Sequence, residues 1–137
     1  MTDPAPCPHA PFKAVIFDCD GVLVDSRQAH ALYFNRVRAA VGLPPLTPEE
    51  EDYVFTHAVE DSLRRIIPAQ SLDAARQAAA DQSLDDLLPS IVLQPGVRDL
   101  LARLPELGLK TAVNTNAGRE ARLILSARLL EVARIVD

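Results

Sequence analysis

The segment Lys13-Ala14-Val15-Ile16-Phe17 is a short apolar run that stops at Asp18. Side chains of a strand alternate between its two faces, so an unbroken apolar run suits a strand covered on both sides, as in a parallel sheet held between helices. This run therefore directs the chain toward an α/β fold. Leu109-Lys110-Thr111-Ala112-Val113-Asn114 reads as a second strand, and Ala133-Arg134-Ile135-Val136 as the opening of a third. Helical periodicity covers Val97 to Leu107, closed by Gly108, and Ala117 to Leu130. The expected core is a Rossmann-like parallel sheet, incomplete in its strand number.

Between the first strand and Gln94 the pattern is helical. Ala29, Leu32, Tyr33, Phe34, Val37 and Val41 recur at helical spacing from Ser26 onward, and Gly42 and Pro44 supply the stop. Thr47-Pro48-Glu49-Glu50 reads as a helix start, with Thr47 as N-cap, Pro48 at the first helical position and acids in the first turn. Further helices are expected over about Val59 to Ile67 and Ser71 to Leu88, with prolines marking the segment boundaries. Residues 27–93 thus form a helical cap inserted into an α/β core made of residues 1–26 and 94–137, with Met1 to Pro11 as a loose lead-in. The insert begins beside Asp25 and Ser26, so it is expected to close over the loop after the first strand.

A length of 137 residues suits one ordinary domain, and the net charge of −5 with no stripe of Lys and Arg argues against a nucleic-acid partner. No apolar stretch is long enough to span a bilayer, and no secretion signal is recognisable. Cys7 and Cys19 offer neither a bridge framework nor a metal spacing. A reducing, cytoplasmic setting is expected.

Two carboxylates, Asp18 and Asp20, stand at the end of the first strand, on the edge where open α/β sheets bind ligands. Asp18 suits nucleophilic attack on an electrophilic phosphorus, and Asp20 suits general acid and base duty toward the leaving oxygen and water. Gly21 permits a tight turn of the backbone directly after Asp20. A carboxylate approaching a phosphate ester needs charge compensation, and hard oxygen ligands at Asp18 and Asp20 point to Mg²⁺. Asn114-Thr115-Asn116-Ala117-Gly118 opens a helix on the same sheet edge, where Thr115, Asn116 and backbone amides make an anion site, with Gly21 facing it.

Each residue also has a plainer reading. Asp-x-Asp-Gly alone is a turn, Thr115 and Asn116 an N-cap, and Asp25-Ser26 either a helix cap or a device orienting the insert. Cys19 alternates with the aspartates and should pack inward. His30 and His57 read as surface or core histidines, with a place on the cap face as the alternative for His30, and Arg64-Arg65 as a solvated pair, with contact of one arginine to a substrate anion as the alternative.

Phe17-Asp18-Cys19-Asp20-Gly21-Val22-Leu23-Val24-Asp25-Ser26 resembles the first motif of the haloacid dehalogenase-like phosphatases, and Val113-Asn114-Thr115-Asn116 looks like the second. Pro95-Gly96-Val97-Arg98-Asp99-Leu100-Leu101 through Lys110 resembles the corresponding segment of the phosphoglycolate phosphatase-like and β-phosphoglucomutase-like subgroup. The resemblance implies a nucleophilic, Mg²⁺-binding Asp18, an acid/base Asp20 whose carbonyl also meets Mg²⁺, a phosphoryl site at Thr115 and Asn116, and a substrate-selecting cap. It also implies a basic third motif and an acidic fourth motif beyond Asp137, so the chain resembles a C-terminally truncated member. Lys13 and Lys110 precede their strands and lie at the wrong sheet edge to replace the third motif. The expected activity is a phosphatase acting on a small phosphorylated metabolite. The alternatives are a sugar phosphomutase and a non-catalytic remnant that self-associates through an uncovered sheet edge.

Overall fold

A computed structural model of the chain describes residues 12–115 and 134–135. Strand β1 (Ala14–Phe17) pairs in parallel with β4 (Lys110–Val113), Ala14 opposite Lys110 and Phe17 opposite Val113, and β4 pairs in parallel with the short β5 (Arg134–Ile135). The amide of Asn114 donates to the Phe17 carbonyl at 2.8 Å, carrying the register one step past both strand ends. Asp18 and Asn114 therefore leave the sheet side by side, while Lys13 and Lys110 stand at its opposite end.

Strand β2 (Val24–Asp25) and strand β3 (Val92–Leu93) pair antiparallel, and between them lie α1 (Arg27–Ala40), α2 (Pro48–Thr56), α3 (Val59–Ile66) and α4 (Leu72–Ala80). The two ends of the helical insert thus meet on a two-stranded base. Its helices bury their own cluster, which includes Phe34, Val37, Val54, Leu63, Ile66 and Ala75. Arg38, also buried, donates to the Pro44 and Ile66 carbonyls and pairs with Glu50 at 2.9 Å, linking α1 to the segment before α2, to α2 itself and to the end of α3. A buried guanidinium is tolerable only when paired in this way. Thr47 caps α2 as expected and shares a reciprocal capping box with Glu50.

A second cluster joins the insert's base to the sheet: Cys19, Leu23, Val24, Leu87, Ile91, Leu101 and Val113, with Leu101 and Val97 supplied by α5 (Val97–Glu106). Gly108, at φ 74°, makes the left-handed turn from α5 into β4.

Two expectations need correction. Among the described residues β1 is covered on one side: Phe17 packs on the core, whereas Ile16 is 68% exposed. Among the described residues the packed elements gather on the Phe17 side, and β1 forms an edge of the sheet. The helix expected over Ser71 to Leu88 ends at Ala80, with a 3-10 turn at Leu88–Ser90. Burial of Leu87 and Ile91 in the core beside Leu84 outweighs the helix propensity of the segment, and Gln82 instead donates to the Tyr33 carbonyl. The lead-in, Asn116 and the helix expected over Ala117 to Leu130 lie outside the described residues.

Candidate active site

After Phe17 the chain turns sharply. The amides of Val22, Leu23 and Val24 all donate to the Cys19 carbonyl, and the Gly21 amide donates to the Val24 carbonyl at 2.8 Å. Gly21 holds φ 75°, a conformation that favours glycine, while a Cβ there would make only ordinary contact with the Phe55 ring at 3.4 Å. Because its amide is engaged by Val24, Gly21 serves here as the turn rather than as an amide donor to an anion. Cys19 is completely buried between the aspartates. Burial, followed by the charges of Asp20 and Asp18, pushes its thiol up to about 12, so it is packing and not a nucleophile.

Asp18 is exposed, and its Oδ1 accepts the Cys19 amide at 2.7 Å. It lines a polar cavity of about 310 Å³ together with Phe17, Ile16, Asn114 and Thr115. The first and second loops of the sheet edge are therefore brought together, as the parallel pairing of β1 with β4 requires.

Asp20 faces elsewhere. Its Oδ1 accepts the Ser26 hydroxyl at 2.5 Å, and His30 Nε2 stands 3.7 Å from the same oxygen, an ion-pair distance. The facing His30 imidazole holds the Asp20 carboxyl below its usual range. Burial opposes that effect, and the Ser26 hydroxyl adds to it. Ser26 precedes α1 but does not cap it with its side chain; the hydroxyl is committed to Asp20. Asp20, Ser26 and His30 line a second cavity of about 720 Å³ that runs into the insert.

The arrangement sets an exposed carboxylate beside hydroxyl and amide groups, and a second, hydrogen-bonded carboxylate behind it. Hard oxygen donors of this kind suit a divalent cation that keeps several waters. By the family resemblance, Asp18 would hold it with its side chain and Asp20 with its main-chain carbonyl; the Asp20 carboxylate itself is engaged by Ser26 and His30.

Residues 15–132 match the family model of the haloacid dehalogenase-like hydrolases. The chain belongs to this family. A phosphoglycolate phosphatase of Chromobacterium violaceum is 34% identical over 130 residues, covering 85% of this chain and 56% of that protein. Another, from Synechococcus elongatus, is 33% identical over 112 residues, covering 79% of this chain and 51% of that protein. Among solved structures, a haloacid dehalogenase-superfamily hydrolase of subfamily IA from Geobacter sulfurreducens superposes with a TM-score of 0.73 at 25% identity, over 90% of this chain and 62% of that one. The chain spans about half the length of the curated relatives it matches.

In this haloacid dehalogenase-like chain the partnership of Ser26 and His30 on Asp20 is what sequence reasoning missed. The two lie four residues apart at the start of one helix, hence on one face, and the helix begins directly after the acidic loop. That spacing was the available signal. His57 stacks on Tyr53 at the surface, and Arg64 pairs with Glu60, so neither joins the site. No described helix is long and apolar enough to cross a membrane.

Proposed function

We propose that this chain carries the catalytic half-site of a Mg²⁺-dependent phosphatase of small phosphorylated metabolites, working through an aspartyl-phosphate on Asp18 in a cytoplasmic setting. The observation that carries the reading is the division of the loop. Asp18 opens into the polar cavity with Asn114 and Thr115, whereas Asp20 heads the larger cavity leading into the insert. A phosphoryl group in the first cavity and its alcohol in the second would place the scissile oxygen between the two carboxylates.

An Asp18 carboxylate oxygen attacks phosphorus as the bond to the leaving oxygen breaks, and Asp20 gives its proton to that oxygen. Water then attacks the phosphorus, Asp20 takes the water's proton, and the bond to Asp18 breaks to release phosphate. Asp20 begins as a carboxylate and must first gain a proton; the negative charge of the bound ester raises its affinity for one. Thr115 and, by family resemblance, Asn116 hold the phosphoryl oxygens, and the insert, residues 27–93, acts as the cap. Mg²⁺, when bound, supplies charge neutralisation at the phosphoryl oxygens.

Hydrolysis of a generic phosphomonoester with Mg²⁺ tests the reading. Asp18→Asn should lower it by about a thousandfold or more, because the nucleophile is lost. Unchanged hydrolysis would overturn it.

A further inference from the structure

The second cavity has a composition of its own. Its walls are largely apolar, with Ala29, Leu63, Ala79, Leu84, Leu87 and Ile91 contributed by the insert and its base. At about 720 Å³ it is of the size that encloses small organic ligands, and it is continuous with Asp20. Among the described residues its charged lining is Asp20, Glu60 and Asp85 against Arg76 and His30.

The arginine of that wall is already committed. Its Nη1 pairs with Asp73 at 2.9 Å, its Nε donates to Glu60 at 3.2 Å and its Nη2 also meets Glu60. His30 is directed at Asp20. An entering anion would find carboxylates whose cations are already engaged, and would have to compete with Glu60 and Asp73 for Arg76. The surplus of carboxylates in the lining and its largely apolar wall both disfavour such a ligand.

We propose that this cavity selects a leaving alcohol with an apolar body and no second anionic group, and discriminates against carboxylated ones such as glycolate. The site's role as a leaving-group pocket rests on the phosphatase reading, while its ligand preference rests on the wall itself. The chain would therefore differ in substrate from the relatives named phosphoglycolate phosphatase, despite sharing their fold.

Methyl NMR of the full chain tests this with two pairs of probes: benzyl alcohol against glycolate, then benzyl phosphate against phosphoglycolate. Benzyl alcohol should shift the Leu63, Leu84 and Ile91 methyls at concentrations about tenfold or more below those at which glycolate does, as expected from burying a ring's apolar surface. Ala79→Phe, which fills the cavity, should abolish those shifts while inorganic phosphate still perturbs Thr115. Glu60→Gln, which frees the Nε and Nη2 of Arg76 while Asp73 keeps Nη1, should bring glycolate closer to benzyl alcohol. Equal responses to glycolate and benzyl alcohol, or none to benzyl alcohol in wild type with its amide spectrum intact, would overturn the proposal. If benzyl alcohol binds as described but neither phosphate ester perturbs Thr115, the selectivity stands and the phosphatase reading falls.

Discussion

Asp18 stands on the open side of its loop beside two residues of the neighbouring strand's end, Asn114 and Thr115. Asp20, two positions on, is drawn back against Ser26 and His30 from the start of the insert. The sheet thus sets the surroundings of one carboxylate and the insert those of the other. Two chemically identical side chains become different reagents because different regions of the fold supply their partners, the general route by which one site holds both a nucleophile and an acid.

That contrast can be broken most sharply at Asp20 itself. Asp20→Asn should lower kcat/KM, which reports formation of the aspartyl-phosphate, about a hundredfold for an alkyl phosphate, since an alkoxide needs a proton to leave, but much less for p-nitrophenyl phosphate. Asp18→Asn should remove both activities alike, and kcat/KM on the two esters distinguishes the cases. Equal losses of kcat/KM on both esters in Asp20→Asn would show that the two carboxylates are not divided as described.

A smaller effect comes from removing the insert's hold. Ser26→Ala and His30→Ala should each raise the titration of Asp20 toward the ordinary carboxylate range, read by carbon NMR of its carboxyl group. That direction fixes the sign of the stability effect. Because the folded-state value is depressed, the Asp20 contribution is present above the unfolded carboxylate range and is lost as pH falls through the lower folded value. Chemical denaturation across that acid window should show a shallower loss in either variant than in wild type.

The sheet side of this contrast was legible in the sequence because its signals are local. An apolar run ending in Asp18, a second run ending in Asn114, and the rule that parallel strands share a ligand-binding edge suffice to place the two loops together. The buried Cys19 followed from simple alternation. The insert side was less legible, since helix length after Ala80 depends on how Leu87 and Ile91 reach a core assembled from distant segments. The open face at Ile16 has the same origin: a continuous apolar run states which residues seek cover, not which neighbours provide it. His30 showed its spacing from Ser26 but not its direction, which is set by the packing of α1 against α2 and α4.

The division of labour is tested most directly by trapping the covalent intermediate. The chain is mixed with Mg²⁺ and a phosphomonoester, quenched in acid, and treated with borohydride, which reduces an aspartyl-phosphate to homoserine. Peptide mass spectrometry then locates the change. The expected result is homoserine at position 18 and unmodified aspartate at position 20. Homoserine at position 20, or substrate turnover with position 18 unmodified, would contradict the assignment.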